Sequence, residues 1–399
     1  MKLLKVRTSG IPLFQTCCEI DFLALQRVTE ENAEKMSCTF HAGPQGFYQN
    51  NVLSIVGINA SGKTTLLKLI AFVCRMLNNE PLNGIDCADI LDGLAEGSRA
   101  TIETFFFAHN RETYPWSEEG AVNFLQTVVT KQDGKLVIAY ETLKSKPLSK
   151  VKSKKTLFDF NGIEINLSRN IRENAEFLLD DVSIMVAFNK RNREHVPFTE
   201  LLRYTNINAL TIKEDCPPQL IAFFDPSVAY LKVESKSKGL DIRLKFNGQD
   251  ELQLKQLSEL DRYLSSGTIK GINVFLKAME TFQTGGYLIV DELENHFNRE
   301  IVSTLIRFFM DKKVNPRGAM LIFSTHYPEL LDEFERNDNI YVARHQQGIT
   351  VENLSNLLKR NDVKKSDAYQ SGLLEGTVPM YEAFMDLKRS IMQTHQEGA

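Results

Sequence analysis

Residues 51–72 run Asn51-Val52-Leu53-Ser54-Ile55-Val56, then Gly57-Ile58-Asn59-Ala60-Ser61-Gly62-Lys63-Thr64, then Thr65-Leu66-Leu67-Lys68-Leu69-Ile70-Ala71-Phe72. The first segment is an apolar run of strand length, and the third repeats apolar residues at helical spacing. Between them lies a complete G-x-x-x-x-G-K-T loop, in the strand–loop–helix setting that gives the motif its meaning. Glycines in such a loop let backbone N–H groups turn inward around phosphate oxygens, and the helix N-terminus adds a favourable field. Lys63 is expected to reach the β- and γ-phosphates of ATP, and the Thr64 hydroxyl to hold Mg²⁺. Gly57, Asn59, Ala60, Ser61, Gly62 and Thr65 complete the expected nucleotide contacts.

The bulk numbers narrow the field. A chain of 399 residues has room for about two or three domains. Its 43% hydrophobic and 25% charged residues are the balance of a globular protein. A net charge of -4 excludes a globally basic nucleic-acid binder and leaves only local patches to consider. Met1–Arg7 lacks the apolar core of a secretory signal, and no run approaches the roughly 18 apolar residues of a membrane span. Cys17, Cys18, Cys38, Cys74, Cys87 and Cys216 contain no C-x-x-C pair. Neither zinc nor a disulfide framework is indicated, and a reduced, cytoplasmic setting is expected.

Working outward from the loop, Lys2–Arg7 and Cys18–Leu23 read as strands, with a polar, irregular stretch Val28–Gln49 between them and the loop strand. Arg75–Glu96 carries apolar residues at roughly helical spacing. Thr101–Phe107, Asn123–Thr130 and Lys135–Thr142 read as an antiparallel sheet, with Asp133-Gly134 as a hairpin turn. Lys144–Lys155 holds six lysines and no acid. That composition reads as a solvated loop, or alternatively as a contact for nucleic-acid phosphates. Arg169–Lys213 is the most helical stretch, broken at Pro197. Val228–Val233, Leu240–Phe246 and Glu251–Leu254 return to strand character.

Three further motifs follow in order. Leu264-Ser265-Ser266-Gly267-Thr268 opens a helix through Ile269–Thr281, so its N–H groups and hydroxyls form an anion site. Tyr287-Leu288-Ile289-Val290 is an apolar strand ending in Asp291-Glu292. Leu321-Ile322-Phe323-Ser324-Thr325 is another, ending in His326. Asp291 at its strand end can hold Mg²⁺ directly or through water. Glu292, one residue on, can polarise the attacking water as general base. His326 can touch the γ-phosphate and sense its loss. Each of these has a bland reading: an acidic strand end, a hydrogen-bonded histidine, a helix cap. Their order after a phosphate loop is what favours a composite catalytic site of Lys63, Glu292 and His326.

This ordered set resembles the ABC-type ATPase superfamily, over roughly residues 1–80 and 255–345. The resemblance implies an α/β fold: an ABC-type P-loop ATPase core with an N-terminal antiparallel β subdomain and a helical insertion. The expected divisions are 1–143 for the first half of the core and 144–227 for a mostly helical insertion. Residues 228–345 would form the second half and 346–399 a helical tail. It also implies a head-to-tail homodimer, in which Ser265, Ser266 and Gly267 of one protomer close over ATP on the other. The signature reads Leu-Ser-Ser-Gly-Thr rather than Leu-Ser-Gly-Gly-Gln, and 204 positions separate Lys63 from Gly267. Both departures point toward the soluble SMC-like and OLD-like branch. Within it, Asp291-Glu292-Leu293-Glu294-Asn295-His296-Phe297 looks like the acidic loop of the AAA-type proteins of bacterial abortive-infection systems. The opening residues and the loop resemble the AbiL-type ATPase, which implies a separate Toprim-type nuclease of the RloB kind as partner. Only 73 residues follow His326, without an Asp-x-Asp, so a fused nuclease is not expected. The glutamine of the Q-loop is not assigned: Gln126 sits in a plausible strand region, but its spacing is not diagnostic.

The reading is therefore a Mg-ATP switch ATPase controlling a nuclease or toxin in phage defence, with no membrane contact. A DNA-repair clamp that grips DNA through Lys144–Lys155 is the alternative, and a transporter's nucleotide-binding subunit fits less well. Lys63→Ala is expected to abolish ATP binding, measured by equilibrium titration with a fluorescent ATP analogue. Unchanged affinity would remove the phosphate-loop assignment.

Overall fold

Val52–Val56, Tyr287–Val290 and Met320–Thr325 are buried at every position, the pattern of parallel strands covered on both faces. They form the middle of a six-stranded sheet in the order Phe198–Leu201, Tyr287–Val290, Met320–Thr325, Val52–Val56, Ile340–His345, Ile349–Asn353. The first five strands are parallel, and the last pairs antiparallel to its neighbour. The computed structural model describes residues 1–109, 120–169, 178–203, 216–236, 239–295, 297–374, 376–377 and 385–392.

Alternate residues of these strands feed two cores. Leu53, Ile55, Ile289 and Ile322 pack with the loop helix Lys63–Leu77. Val52, Val56, Leu288, Val290, Leu321 and Phe323 pack with the apolar faces of helices Ser266–Thr284 and Arg299–Met310. Side chains that alternate across a strand thus find a helix on either side. Because all five strands run the same way, their C-terminal ends fall on one edge of the sheet. The loop and Asp291-Glu292 follow two of those ends, and Ser324-Thr325-His326 runs across a third.

A second six-stranded sheet is wholly antiparallel, in the order Cys17–Asp21, Lys2–Ser9, Arg99–His109, Gly120–Gln132, Lys135–Pro147, Ile165–Arg169. Asp133 and Gly134 turn its long hairpin with φ of 50° and 76°, the pair of positive angles that a two-residue hairpin requires. A three-stranded meander, Val228–Lys236, Gly239–Phe246 and Glu251–Leu254, leads into the signature helix. Among the described residues no helix is long and apolar enough to cross a membrane.

Several expectations change. Val28–Gln49 is not irregular: it holds helix Glu30–Lys35 and the hairpin Ser37–Ala42/Gln45–Gln49. Phe40, Ala42 and Phe47 of the hairpin are buried, with Phe40 and Phe47 stacked 4.9 Å apart. The helical pattern after residue 75 ends at Leu77 and gives way to short 3₁₀ turns at Leu82–Gly84 and Ala88–Leu91. Residues 144–227 are not mostly helical where they are described. Ile165–Arg169 and Phe198–Leu201 are strands, and Met185–Asn192 and Pro218–Phe224 are the longer helices there. Parts of the expected helices, 170–177 and 204–215, lie outside the described residues. Within the expected helical tail, Ile349–Asn353 is a strand of the parallel sheet's edge.

The lysine run is solvated only in part: Lys150, Lys152, Lys154 and Lys155 are exposed, whereas Lys144 is half-buried and Lys146 is buried. Lys144 and Lys146 lie in the strand Lys135–Pro147, and Lys154 opens the short helix Lys154–Leu157. Lys146 is buried; its ammonium donates to the Thr156 and Asp159 carbonyls and sits 4.2 Å from the Phe160 ring centroid. Lys154 donates to the carbonyls of Ala24 and Leu25. These lysines are straps whose ammonium groups donate to backbone oxygens of other segments. Burial pulls the Lys146 ammonium down to about 8. Lys146→Ala is expected to destabilise the fold by about 1–3 kcal/mol, through loss of the two hydrogen bonds that its ammonium makes to the Thr156 and Asp159 carbonyls. Exposed Lys150→Ala and Lys152→Ala should each change it by less than about 0.5 kcal/mol. Urea denaturation midpoints check both.

Candidate functional site

The loop between Val52–Val56 and helix Lys63–Leu77 is held by conformations only some residues adopt. Ala60 and Gly62 take φ of 60° and 95°. A Cβ on Gly57 would lie 2.6 Å from the Ala343 carbonyl oxygen and 2.3 Å from the Ser61 hydroxyl. At Gly62 it would meet Ile349 at 2.6 Å, so both glycines are demanded by close approach. Gly62 caps the helix without a side chain, which leaves the first-turn N–H groups, including those of Thr64 and Thr65, to an outside acceptor. The Ser61 hydroxyl is buried without a hydrogen-bond partner. Asn59 and Ala60 are exposed at the loop's tip.

The parallel sheet brings the other motifs to this loop. Thr64 donates its hydroxyl to Asp291 Oδ2 at 2.7 Å, and Ser324 donates to Asp291 Oδ1 at 2.5 Å. Ser324 Oγ also accepts the Glu292 N–H at 2.7 Å. Lys63 Nζ donates to the carbonyls of Gly57 and Ile58 at 2.9 and 3.0 Å and lies 3.3 Å from His326 Nδ1. His326 Nε2 is 3.5 Å from Glu292 Oε1. Burial lowers the proton affinity of Lys63, against the opposing pull of Asp291, Glu292 and Glu294. Lys63, Thr64, Asp291, Glu292 and His326, drawn from three sequence regions, thus form one connected group.

Glu292 has φ of 47°, a left-handed conformation unusual for a glutamate. It is held there by Ser324 and by Asn295, whose amide donates to Glu292 Oε2 at 3.3 Å. Glu294 is buried and accepts the His326 backbone N–H at 2.5 Å, which fixes the turn carrying the imidazole. Ser324, Glu294 and Asn295 were not singled out from sequence as functional. Their signal was adjacency alone, since each lies within three residues of a motif residue. His345 Nδ1, 3.1 Å from the Ala60 carbonyl oxygen, carried no signal. Its place at the loop follows from the strand order.

Ser265, Ser266 and Gly267 do not join this group. Ser265 caps helix Ser266–Thr284 by accepting the Thr268 N–H at 3.0 Å. Ser265 is exposed, Ser266 and Gly267 are half-buried, and the helix packs on Tyr287–Val290 and Phe198–Leu201. Gln126 lies in the antiparallel sheet and donates to Glu103 at 3.3 Å, so it is not the site's glutamine. His296 lies outside the described residues.

The donor set suits a nucleotide phosphate and Mg²⁺. A hydroxyl and a carboxylate oxygen already in contact are the hard ligands Mg²⁺ takes, beside uncapped helix N–H groups and an ammonium for the phosphates. In class, this is a mixed α/β protein with a glycine-rich phosphate-loop motif and an acidic strand end on one sheet edge. Residues 52–332 match the family model described as "AAA domain, putative AbiEii toxin, Type IV TA system", and the chain belongs to that family of AAA domains. No curated protein matches the chain.

Ser324 holds both Asp291 and Glu292 in place. Ser324→Ala is expected to lower the unfolding free energy by about 1–3 kcal/mol, because a carboxylate oxygen and an N–H lose their partner together. Chemical denaturation with matched m-values checks it. No loss would mean that the two groups find other partners.

Proposed function

We propose that the chain is an ABC/SMC-like, Mg-dependent ATPase acting as a switch. The observation that carries this reading is the chain of contacts Thr64–Asp291–Ser324–Glu292–His326–Lys63 at the head of helix Lys63–Leu77. Lys63 and the loop N–H groups would hold the β- and γ-phosphates, with Thr64 and Asp291 on Mg²⁺. The bound cation would supply charge neutralisation at the phosphates. Glu292 would orient the attacking water and take its proton as the water oxygen bonds to the γ-phosphorus and the bond to the β-phosphate oxygen breaks. His326, between Lys63 and Glu292, is placed to register whether the γ-phosphate is present.

Exposed Ser265, with Ser266 and Gly267 at a capped helix start, suits contact with a nucleotide held by a second copy. This supports a homodimer closing around two ATP molecules. The family's toxin–antitoxin description and the acidic loop resembling abortive-infection ATPases support a role in phage defence. The finer reading is of the AbiL type, controlling a separate Toprim-type nuclease of the RloB kind or another toxin in the cytoplasm. The rival DNA clamp drew on Lys144–Lys155. With Lys146 and Lys154 engaged on backbone carbonyls, only Lys150, Lys152 and Lys155 of that run remain as plain exposed charges.

Glu292→Gln is expected to slow ATP hydrolysis by about 10²-fold or more, as loss of a general base does. It should also trap an ATP-dependent dimer, visible by light scattering with and without Mg-ATP. Wild-type hydrolysis would assign the base to another residue. A mass that does not change with ATP would remove the closing-dimer step.

A further inference from the structure

The parallel sheet has a second end. Pro197, Gly286 and Gly318 lie at or beside the starts of the three strands Phe198–Leu201, Tyr287–Val290 and Met320–Thr325. Around those starts opens a cavity of about 560 Å³. Its walls carry Lys2, Arg193, Lys312 and Arg317, with His109 and His195 beside them. That volume is in the range of small-molecule sites. This end of the sheet is opposite the phosphate-loop edge, so the cavity is separate from the site described above.

The charges in the cavity are unbalanced. Glu194 is the lining acid, and it faces His109, at 3.7 Å, and the amine of Met1. Among the described residues no carboxylate lies within ion-pair distance of Lys2, Arg193, Lys312 or Arg317. Lys2 donates to the carbonyls of Gly285 and Gly318 at 2.5 and 2.7 Å. An ammonium has three N–H donors, so one remains for the cavity. Burial alone draws the Lys2 ammonium down to about 8, with no acid acting against it. Arg317 reaches the Gln283 carbonyl with one nitrogen, which leaves most of its planar fork open. Arg193, at a left-handed helix end with φ of 54°, and Lys312 are exposed at the rim.

Four cations gathered on a concave wall whose one acid among the described lining residues, Glu194, faces Met1 and His109 repel one another, and a multiply charged anion removes that cost. Guanidinium forks match the geometry of phosphate oxygens. The geometry points to a second ligand site in this cavity, taking a small phosphorylated molecule that carries several negative charges. A nucleotide and an inorganic polyphosphate both have that chemistry. The site is distinct from the phosphate loop and does not depend on Lys63.

The test uses the full-length chain carrying Lys63→Ala, so that the phosphate loop does not compete. Inorganic tripolyphosphate is titrated into it calorimetrically at low salt. Saturable binding is expected, weakened by about tenfold or more when Arg193→Glu and Lys312→Glu are added, since a charge-assisted contact becomes a repulsion. Both positions are exposed, and an unchanged thermal midpoint confirms that the reversed variant is folded. A 5′-phosphorylated dinucleotide separates the two sources: tighter binding than tripolyphosphate assigns a nucleotide, equal or weaker binding an inorganic polyphosphate. Absence of binding, binding unaffected by the charge reversals, or equally tight binding of citrate would overturn the assignment. Loss of ATP binding in Lys63→Ala concerns only the phosphate loop, so the two readings fail separately.

Discussion

The Asp291 carboxylate has both oxygens taken by hydroxyls from other segments, Thr64 at 2.7 Å and Ser324 at 2.5 Å. A buried carboxylate without such partners would cost several kcal/mol, so its presence forces three segments together. Thr64 opens the helix after the loop, Asp291 ends one strand and Ser324 lies near the end of the next. The arrangement is possible because those strands are parallel and their ends are level. Asp291 is at once an anchor for the sheet's edge and a candidate metal ligand. Ser324 extends the arrangement by accepting the Glu292 N–H, which holds a left-handed glutamate beside His326.

Much of this was legible in the sequence because the parallel strands are short, mostly apolar and end in or are followed at once by their polar residues. Val52–Val56, Tyr287–Val290 and the run ending at His326 stand out for that reason, as do the Asp133-Gly134 turn and the meander from residue 228. What the sequence concealed were pairings whose cause lies in distant segments. The hairpin after Ser37 alternates too weakly to be seen, since its Phe40 and Phe47 gain their meaning from Phe107, 4.9 Å from Phe40. Ile349–Asn353 reads as part of a tail until its pairing to Ile340–His345 is known. Gln126 was attractive by type, but strand register puts it opposite Glu103.

The lysines show the same lesson in reverse. A run of like charge reads as solvent-facing when each residue is judged alone. Lys146, which is buried, and Lys154, which is exposed, instead donate to backbone carbonyls of other segments. A long flexible side chain with several donors suits that task, because it can reach backbone oxygens on more than one segment. Charge in this protein is thus used for closure of irregular backbone as well as for surface solubility. Lys2, gripping the carbonyls of two glycines ahead of adjacent strands, does so at the base of the parallel sheet.

The position of Val52–Val56 between Met320–Thr325 and Ile340–His345 has a consequence for biosynthesis. Leu321 pairs with Val52 across about 270 residues of chain. At roughly 5–20 residues per second, the ribosome delivers that partner about 10–50 s after the first strand emerges. Until then an apolar strand with two unpaired edges is available for wrong pairing or for a chaperone. Contacts of such long range also make folding slow. The phosphate loop, though encoded early, takes its working shape only after residues 320–345 have emerged, so a nascent chain that stops short of them carries the motif without the site.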